Sequence, residues 1–368
     1  MAEPSGRALS SDEVRRLRLR AQHLAQPAPR DALVDVVGDL VGVQAQMPQA
    51  AALSLRARVA GLTREDLREA LEVRRTLVRT WVMRGTIHLV RTEDVQWMLA
   101  ALPTSVLREV PRWLKRRAGL ELREASLVAR KVERLLLRRG PMTRSEIVDA
   151  VGMAPETAYG LMRLAGLDGR ICYGPDRGSD QTFVAVRDWL PDPPSLAALE
   201  PGELARRYLA GYGPAEPADL STWWGLPLGR ARTEWGALGA RAVEVTHDGR
   251  TLSTLADRID DPAAAAPNSV RLVGAWDAYL LGHADRSLIL DPRDTRKVNR
   301  GGGWLHPVVL VDGRVAGIWR TERRARRLRL AVEAFKPLSR QAREGIREEA
   351  EDVGRFVDLP VDLQIRRP

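Results

Sequence analysis

The N-terminal quarter of the chain carries apolar side chains at every third or fourth position, which is the period of an amphipathic helix. Ser11-Asp12-Glu13 can begin such a helix, and Val14, Leu17 and Leu24 continue it. The same period recurs until the short apolar run 86–90, which is typical of a strand. We therefore expect helices at about 11–24, 31–41, 50–59 and 64–77, followed by a strand at 86–90.

A polar break separates the second and third of these helices, with the sequence Val43-Gln44-Ala45-Gln46-Met47-Pro48. Pro48 disfavours the α-helical region for Met47, so the segment is predicted to be a helix end or a turn. In a turn, two amides at positions i and i+2 can lie on one side of the chain. A purely structural use stays open, because Gln44 and Gln46 can satisfy backbone groups at a helix end.

An internal repeat is the clearest signal in the chain. Gly140-Pro141-Met142 aligns without gaps on Gly213-Pro214-Ala215, at an offset of 73 residues. In the first copy Thr143-Arg144-Ser145-Glu146 fits a capping box, and Gly152 fits the left-handed position that ends a helix. The same offset places Gly152 on Gly225.

Each copy of the repeat continues in the same way. The first has a second helix at 155–167, a strand at 170–173 and a returning strand at 181–186. The second copy has strands at 242–245 and 251–252 around a turn at 247–250. Helix, turn, helix and hairpin together predict a winged helix-turn-helix in both copies.

The pattern changes after two Pro-rich or Ala-rich segments at 188–194 and 260–267, which are predicted to be linkers. Short apolar runs at 271–273 and 287–290 predict strands, and 307–311 with 315–319 predict a hairpin around Asp312-Gly313. A further strand within 327–335 and a final helix at 339–356 complete what we expect to be a small β-rich region.

Composition adds a charge argument. Lys and Arg number 58 against 48 Asp and Glu, which gives a net charge of +10 and a pI of about 10.4. This balance excludes an acidic solvating protein and favours a polyanionic partner, nucleic acid first. Nearly all of the cationic residues are arginines, which can form two hydrogen bonds to one phosphate. A GC-rich genome would explain the arginine excess equally well.

Several other classes of protein are not expected. Cys172 is the single cysteine, and the five histidines show no i,i+4 pair, so neither a disulfide framework nor a metal site is predicted. No apolar run reaches the ~18 residues of a membrane span. The N-terminus lacks the apolar core of a signal peptide. We expect a soluble cytoplasmic protein.

Four segments in order carry a family resemblance: 43–46, 79–90 (RTWVMRGTIHLV), 275–286 (AWDAYLLGHADR) and 312–319 (DGRVAGIW). Together they closely resemble the AlkZ/YcaQ family of winged-helix DNA glycosylases, over about residues 9–356. The resemblance implies an α+β, mainly α fold, with three tandem winged helix-turn-helix units and a small C-terminal β-rich domain that form a concave DNA cradle. We expect an N-terminal unit at 1–125, further units at 126–195 and 196–262, and the β-rich region at 263–368.

The family's catalytic motif is a glutamine, an apolar residue and then Gln or Asp, which maps onto Gln44, Ala45 and Gln46. The chain therefore resembles the Gln/Gln branch, which is associated with crosslink unhooking and self-resistance to alkylating natural products. The small Ala45 is a departure that should be harmless if it faces the core. The resemblance implies catalytic roles for Gln44 and Gln46, with neither a metal nor an organic cofactor.

DNA-binding residues are predicted in basic loops. Arg170 and Arg177 belong to a predicted wing loop, and the segment 291–303 carries Arg293, Arg296, Lys297 and Arg300 before a run of glycines. We expect 291–303 to be a hairpin that inserts into a groove, with a solvated flexible loop as the alternative. Arg84 and His88 are candidate phosphate contacts, although a packing role for His88 is somewhat favoured.

The remaining polar and aromatic candidates have structural alternatives. Arg286 is a candidate DNA contact, and Asp277 could order it or a water, although an internal salt bridge is favoured for Asp277. The arginine run 320–327 is more typical of a solvated face than of a binding surface. Trp223 and Trp224 are expected in the core.

Taken with the resemblance, the sequence predicts a monofunctional DNA glycosylase that hydrolyses the N-glycosidic bond of N7-alkylguanine and unhooks interstrand crosslinks. Its expected partner is double-stranded DNA carrying alkylated or crosslinked guanine, and we expect a monomer. The alternative is a non-enzymatic winged-helix transcription regulator, which would need a dimerisation or effector region. A winged-helix scaffold for protein contacts would not need the basic excess.

Overall fold

The computed structural model describes residues 7–190, 199–259 and 269–366. The chain forms two compact units. Leu67–Leu199 form the central unit, and Met1–Asp66 together with Glu200–Pro368 form the discontinuous unit. The linker predicted at 260–267 lies outside the described residues, as does 191–194 of the linker predicted at 188–194.

Helices and strands follow one another along the whole described chain. The helices are α1 (Ser11–Ala21), α2 (Leu33–Asp39), α3 (Pro48–Arg56), α4 (Arg64–Arg68), α5 (Val95–Ala100), α6 (Thr104–Ala118), α7 (Leu122–Arg139), α8 (Arg144–Val151), α9 (Pro155–Leu167), α10 (Val186–Trp189), α11 (Glu203–Tyr212), α12 (Pro217–Trp224), α13 (Leu228–Gly236), α14 (Ala278–Leu281), α15 (Thr295–Val298) and α16 (Arg340–Val357). The strands are β1 (Arg7–Ala8), β2 (Val43–Gln44), β3 (Leu77–Trp81), β4 (Ile87–Arg91), β5 (Met142–Thr143), β6 (Ile171–Tyr173), β7 (Thr182–Ala185), β8 (Ala242–His247), β9 (Arg250–Leu255), β10 (Val270–Val273), β11 (Asn299–Gly301), β12 (Trp304–Leu305), β13 (Val308–Val311), β14 (Arg314–Arg324), β15 (Arg327–Ala334) and β16 (Val361–Arg366).

The central unit is built from one antiparallel pair and one three-stranded sheet, with helices against them. β3 pairs with β4 from Leu77↔Arg91 to Trp81↔Ile87, and the sheet order of the other three strands is β5-β7-β6. Helix α9 packs on α6 and α7. The helix expected at 64–77 is wrong at its C-terminal end, because a π-helical turn over Glu69–Val73 ends it and Leu77 begins a strand that is buried throughout.

The repeat predicted from the sequence is confirmed at the level of helices. α8 and α12 have eight residues each and begin 73 residues apart. Both follow a capping box, and both end at a left-handed glycine, Gly152 with φ 71° and Gly225 with φ 84°. α9 and α13 also begin at this offset, and an antiparallel hairpin follows each of them. Trp223 and Trp224 are buried, as expected.

The C-terminal part of the discontinuous unit is a five-stranded sheet in the order β10-β13-β14-β15-β16, with α16 packed on β10 and β16. Within this sheet only β16 runs parallel to its neighbour, β15. The hairpin around Asp312-Gly313 is confirmed. A strand at 287–290 is not: Ile289 and Leu290 donate their backbone N–H groups to the carbonyl of Arg286, so this buried apolar run forms a turn.

Candidate active site

The two glutamines lie next to each other where β2 ends: Gln44 is the last residue of the strand, and Gln46 lies in the bend before α3. The segment predicted as a helix end or a turn therefore begins with a short strand. The Nε2 group of Gln44 donates a hydrogen bond to Oε1 of Gln46 at 2.7 Å. Gln44 is half-buried and Gln46 is exposed, while Ala45 between them is buried in the core. Met47 has the extended conformation that Pro48 requires, and Pro48 begins α3. The expected placement of both amides on one side of the chain is confirmed, and Ala45 faces the core.

Helix α3, which supports this segment, is tied to the C-terminal helix by Arg56. Its buried guanidinium donates to Glu349 at 2.8 Å, to Asp352 at 2.7 Å and to the carbonyl of Leu272 at 2.6 Å. Burial alone would lower the pKa of Arg56, but the two carboxylates outweigh it and raise this pKa above its usual range. The position of α3 is therefore set by groups nearly three hundred residues away in sequence.

A second buried arginine joins the end of α3 to the segment before α14. Arg58 donates two hydrogen bonds to Asp277, at 2.7 and 2.8 Å, and neither side chain is exposed. Arg58 also donates to Gln22, and Asp277 accepts the backbone N–H of Tyr279. The internal salt bridge favoured for Asp277 is confirmed. Its partner Arg58 was missed by the sequence analysis, and nothing in the local pattern around Arg58 indicates it.

Residues 274–276, which precede α14, contact both α3 and the glycine-rich loop 301–303. Gly274 packs so closely that a Cβ atom there would lie 2.3 Å from the carbonyl oxygen of Ala50. Two residues later, Trp276 has φ 52°, a left-handed conformation that disfavours most side chains. Its indole Nε1 donates to the carbonyl of Gly303 at 2.8 Å, and its ring meets Trp304 edge to face at 4.4 Å between centroids. Trp276 therefore fixes the loop that precedes β12.

The basic segment 291–303 differs from the single hairpin that was expected. A 3-10 turn over Pro292–Asp294 and helix α15 come first, and only Asn299–Gly301 pairs with Trp304–Leu305. Buried Val298 anchors the segment in the core of the discontinuous unit. The sequence pattern missed the helical turn because four residues are too few to show a helical period.

The cations of this segment differ in their partners. Arg293 is 81% exposed and pairs with Asp291, whose pKa this arginine lowers. Lys297 pairs with Asp294 at 2.8 Å, and both Arg296 and Arg300 are exposed. Gly301, Gly302 and Gly303 all have left-handed φ values between 58° and 86°, which glycine adopts at little cost. The turn therefore depends on its glycines.

Four candidate DNA contacts lie in the central unit, and two of them sit in the β3–β4 hairpin. Arg84 has φ 53° in the turn between the strands. His88 on β4 is only 1% exposed, and its Nδ1 lies 3.1 Å from the carbonyl oxygen of Thr86. Burial and the charge of Arg84 lower the pKa of His88 to about 3. His88 is thus neutral at physiological pH, which favours the packing alternative.

The other two candidates in the central unit are engaged with carboxylates. Arg170 precedes β6, outside the wing loop where it was expected, and pairs with Glu133 at 2.8 Å. Arg177 lies in the loop between β6 and β7 and pairs with Glu146 at 2.7 Å. These ion pairs leave Arg177 more than half exposed, whereas Arg170 is half-buried.

Arg286 belongs to the discontinuous unit, after α14. Its side chain is half-buried, and burial lowers its pKa. Its Nε atom is buried without a hydrogen-bond partner among the described residues. The ion-paired Arg56 and Arg58 also have a buried Nε without a hydrogen-bond partner, so this feature alone does not distinguish Arg286 as a DNA contact.

Other kinds of site have little support in the described ranges. Cys172 is buried, and burial raises the pKa of its thiol well above the usual range, so it is a poor nucleophile. Across residues 7–190, 199–259 and 269–366, three or more metal-binding side chains do not come together. None of the helices in the same ranges is both long and apolar enough to cross a bilayer.

Comparisons with known proteins identify the family of the chain. A sequence profile described as "DNA glycosylase AlkZ-like" matches residues 37–356. The chain is 32% identical over 324 residues to an "Interstrand DNA cross-link repair glycosylase" of Streptomyces sahachiroi. The aligned region covers 82% of this chain and 85% of that protein. The chain is also similar to the solved structure of Streptomyces sahachiroi DNA glycosylase AlkZ, with a TM-score of 0.78 and 28% identity over 97% of this chain and 100% of the other. The resemblance seen in the sequence is confirmed: the chain belongs to the AlkZ-like DNA glycosylase family and is a DNA glycosylase, a hydrolase of N-glycosyl bonds.

Proposed function

We propose that this glycosylase removes N7-alkylated guanine from double-stranded DNA and unhooks interstrand crosslinks at that position, in DNA repair or in self-resistance to an alkylating natural product. The observation that carries the proposal is the hydrogen-bonded pair of Gln44 and Gln46, held on one side of the chain by buried Ala45. A relative that is 32% identical is named as an interstrand crosslink repair enzyme, which supports the crosslink part.

The chemistry of neutral amides suits a cationic lesion. Alkylation at N7 gives guanine a positive charge, and the leaving base keeps the electrons of the C1′–N9 bond and becomes neutral. Little general-acid assistance is needed, and the sugar develops positive charge as in glycoside hydrolysis. A water oxygen then bonds to C1′ and its proton passes to solvent. A glutamine carbonyl can hold this water and face the developing charge, although an amide is too weak a base to activate a poor substrate.

The hydrogen bond between the glutamines gives the two amides different positions, and therefore different proposed roles toward the water and the sugar. Because Gln44 donates through Nε2, its amide plane is fixed relative to that of Gln46. Gln46 is the more exposed of the two and accepts this bond through Oε1. We assign to Gln46 the contact with water and to Gln44 the orientation of Gln46 and contact with the sugar.

We further propose that duplex DNA is bound by three winged-helix units, at 1–125, 126–195 and 196–262, and by the β-rich region 263–368, in a monomeric protein. The helix pairs α8–α9 and α12–α13, each followed by a hairpin, support two of these units. The proposed DNA contacts are Arg84, Arg170, Arg177, Arg286, Arg293, Arg296, Lys297 and Arg300. His88 stays a prediction, and its buried position makes it the weakest of the set.

The catalytic part is tested by Gln44→Ala and Gln46→Ala, with Gln49→Ala as the matched control. Gln49 is an exposed glutamine on the first turn of α3, so the same substitution there removes an amide outside the pair. We expect each catalytic variant to release 7-methylguanine from labelled duplex about 100-fold more slowly or worse in single-turnover reactions. Duplex affinity should hardly change. Normal release rates in both variants would refute the assignment.

A further inference from the structure

The hairpin of β14 and β15 extends beyond the sheet to which it belongs. β13 pairs with β14 only from Arg314 to Ile318, and β16 pairs with β15 only from Leu328 onward. Only the tip at 324–327 therefore lies beyond the sheet, where Arg324 pairs with Arg327 around a two-residue turn at Ala325 and Arg326. Residues 319–323 of β14 pair with β15 alone and form an edge of the sheet. We call residues 320–329 the arginine ribbon.

The arginine ribbon is strongly cationic. It contains six arginines and one carboxylate, Glu322. Glu322 pairs with Arg324 at 3.1 Å and lies 3.9 Å from Arg329. The other four arginines make no ion pair with a carboxylate of the described chain, and all four are exposed: Arg320, Arg323, Arg326 and Arg327. The ribbon thus presents positive charge that the protein itself does not neutralise.

The strand register makes this arrangement unfavourable for the protein alone. Arg324 lies directly opposite Arg327 across the two strands. Like charges at directly opposite positions destabilise an antiparallel pair. A single carboxylate beside them offsets this repulsion only in part. A polyanion bound along the ribbon would offset the repulsion between Arg324 and Arg327. A strand pair that is only solvated keeps that repulsion without any compensating contact.

One end of the ribbon, Arg320, lies near the residue that follows the hairpin of the basic segment 291–303. His306 follows β12, the second strand of that segment's hairpin, and lines one small cavity together with Arg320. Partial burial, then the charges of Arg300 and Arg320, lower the pKa of His306. Arg320 therefore lies beside His306, whose imidazole is also affected by the charge of Arg300.

We propose that the arginine ribbon is a further DNA contact, which binds backbone phosphates of the duplex away from the excised base. The tip of the ribbon at 324–327 is two-stranded, and a two-stranded element fits a groove of B-DNA. Arginine binds phosphate through two parallel hydrogen bonds. The partner is double-stranded DNA, because this protein is a DNA glycosylase. The contact is independent of the Gln pair and of which lesion is removed.

The test compares Arg323→Gln/Arg327→Gln with Arg340→Gln/Arg347→Gln, which removes two exposed arginines from α16. Affinity for undamaged duplex is measured at several salt concentrations. Removal of one phosphate-binding arginine should reduce the slope of log affinity against log salt by about 0.9. We therefore expect a slope reduced by about 1.8 in the ribbon variant, at about 0.9 for each arginine, and an unchanged slope in the α16 variant.

Two further measurements separate DNA binding from folding and from catalysis. The ribbon variant should unfold at the wild-type temperature or above it, because the repulsion at Arg327 is removed. Its release of 7-methylguanine at saturating enzyme should be unchanged, so failure of the ribbon proposal is distinct from failure of the Gln assignment. The proposal is overturned if the salt slope stays at the wild-type value, or if both double variants bind duplex equally weakly.

Discussion

His88 shows how burial decides what a single residue can do. The residue type and the neighbouring arginines suggest a phosphate contact, but its ring lies in the core and its Nδ1 meets the carbonyl of Thr86. The folded protein therefore keeps His88 neutral down to about pH 3, its lowered pKa. In the unfolded chain the imidazole takes up a proton as the pH falls below its ordinary pKa of 6.5.

This difference makes stability depend on pH. Between about pH 6.5 and 3 the unfolded chain binds more protons, so the His88 contribution is complete above pH 6.5 and is lost as the pH falls. We expect His88→Asn, which keeps a donor for Thr86, to reduce the slope of the unfolding free energy by up to about 1.4 kcal/mol per pH unit in this interval. Urea unfolding at a series of pH values measures it. His283, whose pKa burial also lowers, should keep part of the slope. Parallel curves for wild type and variant would contradict the prediction.

At the residue scale the sequence predicted the placement of Gln44 and Gln46 on one side of the chain, but not the contacts that support them. Pro48 restricts Met47, so the extended conformation of Met47 before α3 follows from local stereochemistry. Gln44 and Gln46 are two residues apart, so both amides can lie on one side of the chain. Arg58 and Asp277, by contrast, are 219 residues apart, and no local pattern relates them. The left-handed conformation of Trp276 is imposed by its packing on Trp304 and Gly303 and has no sequence signal of its own.

At the element scale, capped and periodic elements were predicted closely. The first helices of the two repeats begin and end where the capping boxes and Gly152 and Gly225 indicate. The strand predicted at 287–290 was wrong because apolar residues in a buried turn have the same hydrophobic pattern as a short strand. The prediction of a single hairpin at 291–303 was wrong because α15 is only four residues long, which is too short to show a helical period.

The basic segment gives the prediction that belongs to this scale. An enzyme that acts on crosslinked guanine must reach a base that cannot rotate out of the duplex, so it needs a support at the groove. Removing Arg296, Lys297 and Arg300 together should slow crosslink unhooking more than release of 7-methylguanine, because the small lesion is labile and needs only the Gln pair and a bound duplex. Both reactions are measured at one fixed salt concentration, since loss of charge weakens all binding.

The two outcomes that contradict this prediction have different meanings. An equal loss of both activities would make the segment a general phosphate contact. No loss in either would make it a solvated loop. The pairing of Lys297 with Asp294 leaves Arg296 and Arg300 as the cations whose removal should matter most.

At the scale of the whole molecule, the net charge of +10 predicts how the protein finds DNA. Phosphate contacts release counterions, so duplex affinity should fall about 10-fold or more between about 50 and 200 mM salt when several contacts form. Affinity should depend little on base sequence, because damage and not sequence is read. Titration of unrelated duplexes at several salt concentrations measures both properties. Strong preference for one palindromic site would instead support a regulator.

The division of the molecule into two units was not foreseen. Local signals place helices and strands but carry no information on which distant segments share a core. The N-terminal segment up to Asp66 joins the chain after Glu200 through Arg56, Arg58 and the parallel pairing of β1 with β8. These contacts depend on side chains and edges that meet only after folding.

The anchoring of α3 by Glu349 and Asp352 has a consequence for biosynthesis. A ribosome makes Gln44 and Gln46 before Arg56, and the carboxylates that hold Arg56 follow nearly three hundred residues later. A nascent or prematurely terminated chain carries both glutamines without the helix that fixes their support. We therefore expect the support of the glutamine pair to become fixed only after Asp352 has been synthesised, long after the glutamines themselves.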